Sequence, residues 1–367
     1  MKNRAWFSLF SIPILLASAA NSQRYVEHEI SIPWVMAGPS GLDALLVYVD
    51  LPGKHPLVVI THGNAPSPEA QPLMNPWQQL PQALWFARRG WVALVVVRRG
   101  NGFSGGEDDT HHGARCPQTN YQQAGEYTAE DMRIAIDYAR KLPQVDDTRI
   151  LAAGVSAGGF ATVALTAKAP PGLVAAINFA GGRGSQATHS ACNMGDLVNA
   201  FRSFGKTSRI PMLWIYAEND KYFPPEQAQK FEAAFRSKGG QDQFVLAPAI
   251  GQNGHMLFNR VEAWSATVDD FLKAKKLAPL ADLLPEPKPP NVMPPAGLSE
   301  SGLQAFESYL LQGPHRAFAT SEHFYGSSAA NINVDLARRN ALERCRHAAD
   351  NKETCTVVYV DDTPVNP

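Results

Sequence analysis

The sequence has almost no excess of charge: 33 Lys and Arg oppose 34 Asp and Glu over 367 residues, leaving a net charge of -1. No field of one sign is available to gather a nucleic acid or an anionic membrane, so a small neutral molecule is the expected partner. Cysteine is scarce, four residues in all. No two are spaced as C-x-x-C, which argues against a zinc ribbon or a thioredoxin-like site. Apolar runs long enough for a bilayer are also missing: spanning takes about 20 residues, and the strongest run, residues 6–16, is shorter and interrupted by Pro13. Lys2 and Arg4 precede that run and Ala17-Ser18-Ala19 follows it. Residues 1–19 therefore read as a cleavable secretory signal, with a secreted or periplasmic destination and no stable membrane anchor. No cysteine follows the run to carry a lipid.

Export would place Cys116, Cys192, Cys345 and Cys355 in an oxidising compartment, where they become disulfide partners. Three pairings are open. Cys345 and Cys355 are near neighbours in sequence, and Cys116 and Cys192 fall in two loops on the same side of the expected sheet, so proximity favours 116 with 192 and 345 with 355.

What is present is a long alternation of strand and helix patterns. Residues 25–34 and 42–51 alternate apolar and polar side chains on either side of Gly38-Pro39-Ser40-Gly41 and read as an antiparallel pair. Residues 57–61 are continuously apolar and β-branched, as a strand covered on both faces should be. Helices are expected over 76–89, 128–141, 157–168, 225–237 and 260–275, alternating with strands over 91–97, 150–155, 174–179, 211–217 and 243–246. Such repetition implies an α/β fold with a doubly wound, mostly parallel sheet. Six prolines between Pro285 and Pro295 can belong to neither an internal helix nor a central strand. The expected division is a catalytic domain over 24–278, a proline-rich linker over 279–296, and a small α+β module over 297–367 pinned by Cys345 and Cys355.

One stretch carries the chemistry. Gly154-Val155-Ser156-Ala157-Gly158 is a G-x-S-x-G between an apolar strand and an Ala-rich helix, the setting in which a sharp turn exposes a serine hydroxyl as a nucleophile. The same turn aims the Ala157 N–H at a developing oxyanion, with the positive end of the helix behind it. Acyl transfer also needs a base and a carboxylate to orient it, here in the order serine, acid, histidine. The buried strand through Trp214 and Ile215 ends at Glu218-Asn219-Asp220. Asp220 is the expected acid and Glu218 the runner-up. Gly254-His255-Met256 follows the last strand and precedes the last helix, a position from which His255 can reach over the sheet edge. His28, His111, His112, His315, His323 and His347 lack that position.

With these motifs the chain resembles an α/β-hydrolase from about Tyr25 to Lys276. Thr61-His62-Gly63-Asn64 is similar to the H-G segment after the third strand of that superfamily, and the resemblance implies that the Asn64 N–H partners the Ala157 N–H in the oxyanion hole. Arg98-Arg99-Gly100-Asn101-Gly102-Phe103-Ser104-Gly105-Gly106 is similar to the R-G-x-G-x-S-x-G loop of cocaine-esterase-like, X-prolyl-peptidase and dienelactone-hydrolase-like proteins. It lacks the Lys-Ser/Thr of a Walker sequence, so it reads as a structural turn supporting the elbow. Prolyl-oligopeptidase-type catalytic domains share the pattern, and the propeller of those proteins is not expected among these residues. Trp77, Tyr121, Tyr222 and Phe223 are candidates for an acyl pocket. The loop with Asp108, Asp109, His111 and His112 reads as polar structure and not as a metal site. The expectation is a serine hydrolase that needs no cofactor and cleaves a small ester. A short peptide is the alternative substrate, and a catalytically idle hydrolase fold that merely binds is the alternative class.

Overall fold

A computed structural model describes residues 24–187 and 190–365, so the expected signal segment lies outside the described residues. The strands of the first part are β1 (Tyr25–Ile32), β2 (Leu42–Val49), β3 (His55–Thr61), β4 (Val92–Val96), β5 (Val145–Val155), β6 (Leu173–Phe179), the small hairpin β7 (Ser185–Ala187) and β8 (Ser190–Ala191), β9 (Met212–Ala217) and β10 (Asp242–Ala247). Between them run α1 (Leu80–Ala87), α2 (Tyr121–Ala139), α3 (Ala157–Ala167), α4 (Met194–Gly205), α5 (Pro225–Arg236) and, after β10, α6 (Val261–Ala274). Among the described residues, eight strands form one sheet in the order β1-β2-β4-β3-β5-β6-β9-β10. The β1-β2 and β2-β4 pairs are antiparallel and the pairs from β4 to β10 are parallel. This is the doubly wound α/β-hydrolase architecture.

Parallel strands are covered on both faces, and the core divides accordingly. Side chains of α2, α3, α4 and α5 pack on one face around Phe160, Phe201, Trp214 and Phe231, and those of α1 and α6 on the other around Phe86, Trp91, Phe179 and Trp264. The continuous apolar sequence of β3, with Leu57 through Ile60 fully buried, follows from that double cover.

Two elements differ from the sequence expectation. Helix α2 starts at Tyr121 and not near 128, because the Asn120 side chain accepts from the Gln123 N–H at 3.1 Å and caps it there. Gly125 lies inside this helix because a Cβ would come within 2.7 Å of the Phe204 ring. Helix α4 was not expected at all. Its Leu197, Ala200, Phe201 and Phe204 repeat at helical spacing and are buried.

Residues 279–296 run extended along the first part: Leu284 N–H donates to the Arg88 carbonyl at 2.8 Å, and Arg88 pairs with Glu286 at 2.6 Å. The chain then forms α7 (Glu300–Leu310), β11 (Ala317–Thr320), β12 (Tyr325–Ser328), α8 (Val334–Ala348), β13 (Thr356–Val360) and β14 (Thr363–Pro364). The strands make a separate antiparallel sheet in the order β12-β11-β13-β14, against which α8 packs through Ala337, Ala341 and Cys345. Cys116 is bonded to Cys192 and Cys345 to Cys355. No described helix is long and apolar enough to cross a membrane.

Candidate active site

The turn from β5 into α3 holds Ser156 at φ 55° and ψ -119°. A non-glycine residue there costs on the order of 1–3 kcal/mol and persists only where its surroundings enforce it. They do so through hydrogen bonds on both sides: Ser156 N–H donates to the Phe179 carbonyl at 2.9 Å, and the Ser156 carbonyl accepts from Phe160 and Gly182 at 2.9 and 3.1 Å. The flanking glycines are steric necessities. A Cβ on Gly158 would lie 2.4 Å from the His62 carbonyl oxygen, and one on Gly154 would lie 2.3 Å from that of Gly158. This tightness brings the end of β3 against the elbow. Ala157 is buried in the first turn of α3, where helix geometry leaves N–H groups without internal partners.

Asp220 and His255 come from the loops after β9 and β10, and two asparagines clamp those loops together. Asn219 Nδ2 donates to the Ile250 and Gly251 carbonyls at 3.2 and 3.1 Å, while its Oδ1 accepts from Ile250 N–H at 2.9 Å. Asn253 Oδ1 accepts from Lys221 and His255 N–H groups at 3.0 and 3.1 Å. The Asp220 carboxylate is buried. Its Oδ1 accepts from Tyr222 and Phe223 N–H groups at 2.8 and 2.9 Å, and its Oδ2 lies 2.9 Å from His255 Nδ1. A carboxylate so placed keeps the imidazole proton on Nδ1 and leaves Nε2 as the basic atom. Glu218, the alternative acid, is exposed.

Ser156 and His255 both line one cleft of about 500 Å³, together with His62, Gly63 and Asn64 at the end of β3. The backbone there is tied down by two arginines. Arg98 donates to the His62 and Gly63 carbonyls, and Arg183 donates to Asn64 Oδ1 at 2.9 Å while pairing with Asp109. Burial lowers the Arg98 guanidinium to about 10, so it remains charged at neutral pH. His62 is neutral: its Nε2 accepts from Arg98 N–H at 2.9 Å and its Nδ1 donates to the Gly63 carbonyl at 2.6 Å. Burial, and then the neighbouring Arg98 charge, hold its pKa well below the ordinary histidine value. The Arg98 turn thus supports the loop facing the serine. The sequence marked that turn through its R-G-x-G-x-S-x-G pattern, but nothing local marked Arg183.

None of the four expected aromatics is among the described residues lining the cleft. Tyr222 and Phe223 flank the His255 ring at centroid distances of 4.7 and 5.6 Å, whereas Tyr121 is core and donates to the Cys192 carbonyl. Trp77 lies in a neighbouring groove. The apolar lining of the cleft comes instead from Leu73, Met74, Met256, Phe258 and Leu336. Leu336 belongs to α8, and Ser328, Ala330, Asn331, Asn340 and Arg344 join it. The C-terminal module therefore forms one wall of the cleft that holds Ser156.

Residues 77–277, more than half of the chain, match the model of the prolyl oligopeptidase family. No protein of curated function matches. Among solved structures, the chain is similar to an acylaminoacyl peptidase from Pyrococcus horikoshii, at 16% identity and a TM-score of 0.51, over 71% of this chain and 43% of that one. An esterase from Pyrococcus furiosus matches at 17% identity and a TM-score of 0.46, over 69% of this chain and 93% of that one. Esterase 2 of Thermogutta terrifontis matches at 18% identity and a TM-score of 0.47, over 69% and 96%. The likeness to the peptidase is one of fold, and this chain spans less than half of its length.

Proposed function

This chain belongs to the prolyl oligopeptidase family, a group of serine hydrolases on the α/β-hydrolase fold, and from that premise we propose that it cleaves carboxylic esters through an acyl-enzyme. Ser156 Oγ attacks the ester carbonyl while His255 Nε2 takes its proton. The tetrahedral oxyanion is received by the N–H groups of Ala157 and Asn64. On collapse, His255 returns the proton to the departing alkoxide. Water then repeats the sequence on the acyl-enzyme and releases the acid. Asp220 holds the imidazole and stabilises its charged form. The observation that carries this reading is the 2.9 Å contact between His255 Nδ1 and the buried Asp220 carboxylate, in a cleft shared with the strained Ser156.

The family's name favours a peptidase as the second reading. An ester is preferred over a peptide with a free amino terminus, because no Asp or Glu is among the described residues lining the cleft to hold that amino group. The proposal includes export, supported by the signal-like sequence of residues 1–19 and by the two disulfides. It also includes the division into catalytic domain, linker and module at 278 and 296. A panel of acyl esters and aminoacyl amides, read against Ser156→Ala, tests the chemistry. Ester turnover that falls by about a millionfold in the variant is expected. Unchanged turnover in the variant would refute it, and faster cleavage of amides than of esters would favour the peptidase.

A further inference from the structure

The wall contributed by α8 presents Leu336, Asn340 and Arg344 at successive four-residue steps, the spacing that puts side chains on one helix face, and all three line the cleft. Among the described lining residues Arg344 is the one lysine or arginine, and there is no carboxylate to oppose it. His62 does not compete as a charge, since its Nε2 accepts from the Arg98 N–H and burial, then the neighbouring Arg98 charge, disfavour its protonation.

Arg344 is exposed but not loosely placed. Its Nη1 donates to the Ser327 carbonyl at 2.6 Å. Strand β12 comes this close because Gly326 lies beneath the helix, where a Cβ would meet the Cys345 nitrogen at 2.3 Å and the Ala341 carbonyl oxygen at 2.5 Å. Cys345, the next residue, is bonded to Cys355. With Nη1 engaged, the Nη2 and Nε donors remain for a ligand. The adjoining wall is ordered by its own ladder: Asn340 Nδ2 donates to Asn331 Oδ1 at 3.0 Å, and Asn331 Nδ2 donates to the His315 carbonyl at 2.9 Å. Asn75 Nδ2 then donates to the Ala330 carbonyl at 2.8 Å, fastening this wall to the catalytic domain.

We propose that Arg344 is a substrate-binding residue that selects esters bearing a second, ionised carboxylate. A guanidinium with two free donors matches the two oxygens of a carboxylate. The cleft gives such an anion no repulsion and gives a cationic substrate no partner. This rests on the esterase reading above and adds the substrate class to it.

The test compares kcat/KM for three esters on the full-length protein: 4-nitrophenyl butyrate, the mono-4-nitrophenyl ester of glutaric acid, and 4-carboxyphenyl butyrate. The last two carry the carboxylate on the acyl and leaving-group sides. In Arg344→Gln the preference for at least one carboxylate ester over its neutral counterpart should fall roughly tenfold, mainly through KM, as for a charge-assisted contact. Arg344→Lys should restore part of it, and salt should weaken it in the wild type. Arg346→Gln removes the same charge from an exposed position on α8 outside the cleft lining, and should leave the preference unchanged. Thermal unfolding followed by circular dichroism reports that each variant is folded. If the esters are cleaved and neither ratio moves in Arg344→Gln, the assignment is wrong while the esterase reading stands. If the wild type cleaves none of them, both fall together.

Discussion

The two sides of the cleft are built in different ways. Ser156, Asp220 and His255 follow β5, β9 and β10 at one edge of a single sheet, and their spacing is set by backbone hydrogen bonds and by the Asn219 and Asn253 clamps. The opposite wall comes from α8 and the turn before it, in a module with its own sheet and disulfide. That module meets the catalytic domain through isolated contacts such as Asn75 with Ala330 and Gly313 against Trp77. A rigid floor suits groups that must be placed to within fractions of an ångström for bond making. A docked wall can change without disturbing them, and so suits recognition. Floor variants should therefore act on kcat and wall variants on KM.

The sharpest way to break that division is at the floor. Asp220→Asn should leave the fold intact and lower kcat by about 10⁴-fold, because the amide no longer holds the imidazole proton on Nδ1. Glu218→Gln, at an exposed position, should change little, and steady-state kinetics of the two variants separates the acids. At the wall, Asn75→Ala removes one cross-domain hydrogen bond. With about 1 kcal/mol at stake, KM should rise roughly fivefold at nearly constant kcat. A matching fall in kcat would show that wall and floor are one unit.

The last effect is on stability and concerns pH. His62 has a folded-state pKa below its unfolded value. Its stabilisation is therefore complete above about pH 6.5 and is lost as the pH falls below that value toward the folded pKa, by up to about 1.4 kcal/mol per pH unit. Urea midpoints measured between pH 7.5 and 5.5 should fall less steeply in His62→Asn than in the wild type. Equal slopes would remove His62 from the acid sensitivity of the floor.

The floor was legible in the sequence because each of its parts is a local event. Gly154 and Gly158 bracket Ser156, a buried strand ends at Asp220, and Gly254 precedes His255. The alternation of elements implied the doubly wound, mostly parallel sheet, but not its strand order, in which β4 lies between β2 and β3. The wall was not legible. Leu336, Asn340 and Arg344 are ordinary residues on an amphipathic helix, and their place opposite Ser156 depends on how residues 279–296 run along α1. Asn219 and Asn253 were hidden for a related reason, since an asparagine in a loop has no pattern until its partner loop is known. Cysteine proximity did anticipate both disulfides, because one pair is short-range and the other joins two loops on the same side of the sheet.

The assignment of Ser156 as the nucleophile is open to one direct measurement. The full-length protein is treated with a fluorophosphonate probe, digested and mapped by mass spectrometry, with ester turnover followed in parallel. A single adduct on Ser156, formed in step with the loss of turnover, is the expected result. Turnover that persists without an adduct, or is lost with the adduct on another serine, contradicts it.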